Sequence, residues 1–144
     1  QNTFVSSTNW TDAVGPAAAI ATIKKYTRCN VDKHIINMGN YVKDIWKNAA
    51  KNNNININIT GLPTLAAFSF QYQNSNQLNT FFTIEMLKRG FLGFRQFKPS
   101  YAHDIATLNL YSKAVNEIFQ MISNNNIKIN TPNHHLGFSR LTKE

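Results

Sequence analysis

Residues 55–63 read Ile55-Asn56-Ile57-Asn58-Ile59-Thr60-Gly61-Leu62-Pro63, and this stretch decides the fold of the chain. Isoleucines that alternate with polar residues are typical of a strand with one buried face. Gly61-Leu62-Pro63 turns the chain. The alternation then returns as Phe68-Ser69-Phe70-Gln71-Tyr72. We therefore predict two strands that pair antiparallel.

Apolar residues at helical spacing flank this hairpin on both sides. Upstream, Asp12 is a candidate N-cap for an alanine-rich helix, and a second helix restarts at Val31. Downstream, a third helix ends at Gly90, where a left-handed residue is favourable, and Asp104 caps a last long helix.

The segment between the last two helices, Phe91 to Phe97, is interpreted as a third strand or as a strand with a bulge at Gly93. The order of elements is helix, helix, strand, strand, helix, strand, helix. This order predicts an α+β fold in which a small, three-stranded, mainly antiparallel sheet is covered by helices.

The chain of 144 residues carries a formal net charge of +8, which raises the question of nucleic-acid binding. Its lysines and arginines are scattered, however, and scattered lysine usually forms a solvated surface. A non-catalytic basic α+β module remains an alternative. It requires one basic stripe from five lysines: Lys24, Lys25, Lys43, Lys47 and Lys51.

The cysteine count, the hydropathy and the histidine spacing argue against a disulfide-rich protein, a membrane protein and a metal site. A single cysteine, Cys29, rules out an internal disulfide framework and fits a reducing compartment. No apolar run has the length of a membrane span and no signal-peptide pattern opens the sequence, so we expect a cytoplasmic protein without membrane contact. His134 and His135 are adjacent and lack a third ligand at a familiar spacing, so no metal site is predicted.

Hydroxyl groups cluster immediately upstream of the first helix, at Ser6, Ser7, Thr8 and Thr11. A helix start has unpaired backbone N–H groups and partial positive charge, which together suit a phosphate group. The alternative is an ordinary helix cap, which needs only one of these hydroxyls. The chain also begins at Gln1, almost inside this cluster, and we expect it to be the C-terminal part of a larger protein.

The hydroxyl cluster and several segments downstream resemble class III pyridoxal-phosphate-dependent aminotransferases, in particular the branch of glutamate-1-semialdehyde aminomutase. The segments that carry the resemblance are Ser6-Ser7-Thr8-Asn9-Trp10-Thr11-Asp12, Gly15-Pro16-Ala17-Ala18-Ala19-Ile20-Ala21-Thr22-Ile23-Lys24-Lys25, Thr60-Gly61-Leu62-Pro63, Phe68-Ser69-Phe70, Phe82-Thr83-Ile84-Glu85-Met86-Leu87-Lys88-Arg89-Gly90-Phe91-Leu92, Ser100-Tyr101-Ala102-His103 and Gly137-Phe138-Ser139-Arg140-Leu141-Thr142. They cover nearly the whole chain.

The resemblance implies the last third of a fold type I enzyme. Residues 1–30 would then be the end of the large domain and a long connector helix, and residues 31–144 the small C-terminal domain. In this family a Thr or Ser just before the connector helix binds the cofactor phosphate of the neighbouring subunit in a homodimer. That role would fall on Thr8 or Ser7.

The implied activity is amino-group transfer between an amino acid or amine and an oxo compound, or intramolecular transfer as in the aminomutase. The lysine that carries pyridoxal 5'-phosphate would lie upstream, so no catalytic residue is assigned to this segment and the isolated chain is expected to be inactive. Arg95, Tyr101 and Arg140 are candidates for a substrate carboxylate, because arginine offers a bidentate fork. The alternative for each is a surface arginine or a core tyrosine.

Overall fold

The computed structural model describes residues 12–125 and residue 127. The elements in chain order are α1 (Val14–Arg28), α2 (Val31–Asn52), β1 (Ile57–Thr60), a short 3₁₀ turn (Pro63–Leu65), β2 (Ala66–Phe70), α3 (Ser75–Lys88), β3 (Gln96–Phe97) and α4 (Ile105–Ser123). The chain is therefore α+β, as the sequence predicts. It divides into two compact units, Gln1–Lys33 and His34–Glu144.

Helix α1 lies in the first unit and begins one residue later than predicted. Its N-cap is Ala13, while the Asp12 carboxylate accepts a hydrogen bond from the backbone N–H of Val14 at 2.9 Å. Ala13 has helical dihedrals and makes no side-chain cap, so the capping hydrogen bond comes from Asp12, as predicted, although the helix is assigned one residue later. Lys25 and Arg28 in the last turn complement the helix dipole.

The sheet of the second unit has the order β1-β2-β3, and both pairs of neighbouring strands are antiparallel. Ile57 lies opposite Phe70 and Ile59 opposite Phe68, so the two alternating stretches form the predicted hairpin. The antiparallel pairing of the first two strands is confirmed. Strand β1 is two residues shorter than the alternation of the sequence indicates, and β2 has the predicted length but begins and ends two residues earlier, at Ala66 and Phe70.

The third strand is reduced to Gln96 and Phe97. The preceding residues cap α3 instead, because the N–H of Phe91 donates to the carbonyl oxygen of Met86 at 2.9 Å. A Cβ atom on Gly93 would come within 2.8 Å of the Met86 side chain. Gly93 is thus needed for contact with α3, and the prediction of a longer or bulged strand from Phe91 is wrong.

The core of this unit is built around Phe68, which is 2% exposed and lies in the middle of β2. Its ring centroid lies 5.0 Å from Trp46 of α2 and 5.3 Å from Phe82 of α3. Phe119 of α4 follows at 6.0 Å. Three helices therefore meet the sheet at one aromatic ring, which explains why β2 is the most buried strand.

The turn between β1 and β2 depends on glycine at two places. Gly61 has a φ of 82°, a conformation that residues with a Cβ rarely adopt. On the facing helix α2, a Cβ at Gly39 would overlap the carbonyl oxygen of Pro63. The hairpin turn can therefore lie directly against the backbone of α2.

Across the described residues, every helix is too short or too polar to cross a lipid bilayer.

Candidate functional site

Three of the five predicted site residues, Ser7, Thr8 and Arg140, lie outside the described residues. Arg95 and Tyr101 both belong to the segment that joins α3 to α4, on either side of β3. The site can therefore be built only from this joining segment and from the residues that pack on it.

Arg95 is half-buried and immediately precedes β3. Its backbone carbonyl accepts a hydrogen bond from the N–H of Phe68 at 2.9 Å, which extends the pairing of β2 with this segment. Its guanidinium carbon lies 5.4 Å from the ring centroid of Phe94, within the range of a cation–π contact. The backbone of Arg95 is thus fixed by the sheet.

Tyr101 is 52% exposed and packs edge-on against the ring of His34 on α2, at 5.1 Å between centroids. His34 Nε2 lies 2.9 Å from the carbonyl oxygen of His103, which can only accept, so this nitrogen donates. The loop before α4 is therefore anchored to α2 by one ring contact and one hydrogen bond. Tyr101 is a partly exposed residue rather than a core tyrosine.

A cavity of about 230 Å³ lies beside this loop. It is lined by Phe91, Leu92, Gly93, Phe94, Gln96, Phe97, His103, Thr107, Leu108 and Tyr111. Neither Arg95 nor Tyr101 lines it. The sequence signal was the run of aromatic residues from Phe91 to Phe97, which we interpreted as a strand.

His103 is a titratable side chain of this cavity, and its neighbours hold it in orientation. Its Nδ1 accepts a hydrogen bond from the backbone N–H of Ser100 at 2.9 Å, and the Ser100 hydroxyl lies 3.0 Å from the same atom. Its ring packs edge-on against Phe97 at 5.0 Å. Because Nδ1 is the acceptor, the proton of the neutral imidazole is on Nε2.

The first turn of α1 already has one of its backbone N–H donors paired. The carboxylate of Asp12 already accepts the N–H of Val14, and its negative charge opposes a second anion at the same position. Pro16 removes a further donor from the first turn. A phosphate near this helix would therefore depend on the hydroxyls upstream, and hydroxyl donors are chemically suited to a phosphate group.

Two lysines in the described part of the chain, Lys43 and Lys88, contact other residues of the fold through their side chains. Lys43 donates to the carbonyl oxygen of Gly61 at 2.9 Å, and Lys88 pairs with Glu85 at 2.6 Å. Arg89 also pairs with Glu85, at 2.7 Å, and with Glu117 of α4 at 3.0 Å. Burial raises the pKa of the Glu85 carboxyl, but the hydrogen bonds from Lys88 and Arg89 outweigh burial and hold this pKa below its ordinary value. This network joins α3 to α4.

The lysines of the alternative, basic-module hypothesis are only partly brought together. Lys43, Lys47 and Lys51 follow one another at intervals of four along α2, so they share one side of that helix. Lys43 is engaged by the hairpin turn, and the acidic Asp44 is its neighbour in sequence. Lys24 and Lys25 lie on α1 in the other unit. The hypothesis stays a prediction.

A second depression, an open groove of about 440 Å³, runs between α2 and α4. Its lining is mostly polar and carries both signs of charge, with Asp44, Glu117 and Lys113 among asparagines. Within residues 12–125, no group of three metal-ligating side chains is close enough to hold a metal ion. We take the joining segment and its apolar cavity as the candidate site, because Arg95 and Tyr101 belong to this segment.

Comparison with protein-family models, curated proteins and solved structures finds no match to this chain.

Proposed function

We propose that this chain forms the C-terminal part of a class III pyridoxal-phosphate-dependent aminotransferase or aminomutase of fold type I, acting as a homodimer in the cytoplasm. One observation carries the proposal: the segments that resemble this family meet local backbone requirements. Thr60-Gly61-Leu62-Pro63 contains a glycine with φ of 82°, and the glycine of Lys88-Arg89-Gly90-Phe91 has the same φ. The resemblance therefore includes residues that the backbone constrains, and this supports the proposal.

The order of the elements supports the same proposal. A helix of 15 residues, α1, directly follows the hydroxyl cluster and buries none of its own side chains. An α+β unit with a three-stranded antiparallel sheet comes after it. This arrangement matches a connector helix that leads into a small domain.

In this proposal the chain supplies a cofactor anchor and part of the active-site wall. The hydroxyl of Thr8 or Ser7 donates a hydrogen bond to the phosphate of the cofactor bound by the partner subunit. When bound, pyridoxal phosphate supplies the electron-accepting ring that amino-group transfer requires. Arg95, Tyr101 and Arg140 are the residues of this chain proposed to face the substrate carboxylate, by the bidentate geometry of arginine and the hydroxyl of tyrosine.

The anchor can be tested in the intact protein with three hydroxyl variants, Ser7→Ala, Thr8→Val and Thr11→Val. A hydrogen bond to a charged group contributes about 1.5–3 kcal/mol, so loss of the anchoring hydroxyl should weaken cofactor affinity by about tenfold or more. We expect this loss in the Ser7 or the Thr8 variant.

Thr11→Val is the control, because Thr11 is not assigned to the phosphate. Cofactor affinity is measured by absorbance titration of the apoprotein. Equal affinity in wild type and all three variants would contradict the assignment of the phosphate to this loop.

A further inference from the structure

The cavity beside β3 combines a largely apolar lining with a polar group that neighbouring residues hold in orientation, and Gln96 and Thr107 are further polar lining residues. Its ten lining residues include three phenylalanines and a tyrosine: Phe91, Phe94, Phe97 and Tyr111. Aromatic walls of this kind favour an aromatic guest, because rings attract one another in edge-to-face geometry. Binding pockets commonly combine such a wall with a few placed polar groups.

The polar group is the Nε2–H of His103. Its Nδ1 is occupied by Ser100 and its ring is held by Phe97, so the side chain is fixed before any ligand arrives. No residue of the described part of the chain accepts a hydrogen bond from Nε2. A donor that is fixed in orientation and lacks an acceptor is suited to a ligand oxygen.

A cation and an anion flank the cavity, and the cation lies against one of its rings. The guanidinium of Arg95 lies against the ring of Phe94, which is part of the lining. Asp104 is the acidic residue next to His103, but its carboxylate accepts the N–H of Thr107 at 2.7 Å and serves as the cap of α4. The start of α4 thus partly compensates its negative charge.

The size of the cavity limits the ligand to one ring. A cavity of about 150 Å³ lined by apolar side chains is large enough for benzene. The cavity here measures about 230 Å³, which leaves room for one ring with a short substituent.

We propose that this cavity binds a small aromatic carboxylate, with its ring between the phenylalanines and its carboxylate accepting a hydrogen bond from Nε2–H of His103. This site requires no cofactor. It goes beyond the proposed aminotransferase function, and its test is independent of that function.

Benzoate is the probe, and its binding to the full protein is measured by titration calorimetry. Benzyl alcohol, which keeps the ring without the charge, and acetate, which keeps the charge without the ring, are the ligand controls. We expect saturable benzoate binding and weaker affinities for both controls, about tenfold or more for acetate, since benzyl alcohol replaces a charged acceptor by a neutral one and acetate lacks the buried ring.

Two variants test the residues. Asn in His103→Asn can still accept from the Ser100 N–H through its side-chain oxygen, but it lacks a donor at the position of Nε2, so benzoate affinity should fall about tenfold while the melting temperature stays near that of wild type. Thr107→Phe places a ring into the cavity from α4 and should abolish binding. Circular dichroism verifies that both variants are folded.

Three results would overturn the proposal. They are the absence of saturable benzoate binding, equal affinities for benzoate and benzyl alcohol, and unchanged affinity in folded Thr107→Phe or His103→Asn protein.

Discussion

The indole N–H of Trp46 donates a hydrogen bond to the hydroxyl oxygen of Tyr111 at 2.8 Å, and both side chains are buried. Trp46 lies on α2 and Tyr111 on α4, so one polar contact joins two helices through the core. Burial raises the pKa of the Tyr111 phenol, against the opposing effect of the hydrogen bond from Trp46. The phenol therefore stays neutral at physiological pH.

Replacing Tyr111 by phenylalanine should destabilise the protein by about 1–3 kcal/mol, because the indole N–H of Trp46 is left buried without an acceptor. The measurement is the free energy of unfolding in urea. Tyr72→Phe is a matched control: the Tyr72 hydroxyl accepts from the Asn56 N–H at 2.8 Å, but Tyr72 is 40% exposed and water can replace the lost contact.

A double-mutant cycle with Trp46→Phe separates this hydrogen bond from changes in packing. A coupling free energy near zero between positions 46 and 111 would contradict the assignment of the contact.

Phe68→Ala should cost about 3–5 kcal/mol, because the removed ring leaves a cavity between the sheet and three helices. Chemical denaturation measures this loss. Leu92→Ala is the control, since Leu92 is 96% exposed and its truncation should change stability by no more than about 0.5 kcal/mol. Similar losses in the two variants would show that Phe68 is not the centre of the core.

Gly61 and Gly90 allow the cost of backbone conformation to be separated from the cost of crowding. Both have a φ of 82°. A Cβ at Gly61 would overlap the carbonyl oxygen of Leu65, whereas nothing lies within 4 Å of a Cβ at Gly90. Alanine at either position incurs the left-handed penalty of about 1–2 kcal/mol.

We therefore expect Gly61→Ala to lose about 1–3 kcal/mol more than Gly90→Ala, since only the first variant adds overpacking. Thermal and urea unfolding of the two variants give the comparison. A larger loss in Gly90→Ala would be inconsistent with the structure of the hairpin turn.

Glu85 makes the free energy of unfolding depend on pH in the acid range. Because its pKa is lower in the folded chain than its ordinary value, its contribution is fully present above that value and is lost as pH falls through the folded pKa. The free energy of unfolding should therefore decline below about pH 5. Asp104, whose pKa is also lowered, by its hydrogen bond with Thr107, contributes in the same direction.

Glu85→Gln should make this decline shallower, and Glu117→Gln is the control because its side chain is 58% exposed. Unfolding curves between acid and neutral pH measure both slopes. An unchanged slope in Glu85→Gln protein would rule out the ionised pair as its cause.

Local patterns in the sequence predicted the fold well where local physics controls the structure. The alternation of isoleucines and phenylalanines gave the β1–β2 hairpin, Gly90 the end of α3, and Asp104 the cap of α4. The third strand was predicted too long. Phe91 and Gly93 pack on Met86, and a contact between the end of a helix and the loop after it leaves no periodic signal.

The candidate site was less predictable, because contacts between a loop and a helix leave no periodic signal in the sequence. Arg95 and Tyr101 were identified by their chemistry and lie in the segment that joins α3 to α4, but neither lines the cavity. The cavity, however, is made by the aromatic run after α3 facing one side of α4. The orientation of His103 depends on the loop conformation that brings Ser100 to its Nδ1, which residue spacing alone does not reveal.

The most direct test of the proposed function is borohydride reduction of the natively expressed protein, followed by intact-mass analysis and peptide mapping. Reduction attaches the cofactor permanently to the lysine that carries it. The proposal predicts a mass well above 16.4 kDa and a pyridoxyl group on a lysine upstream of Gln1. A native product of 16.4 kDa without the adduct would contradict it and favour the basic binding module.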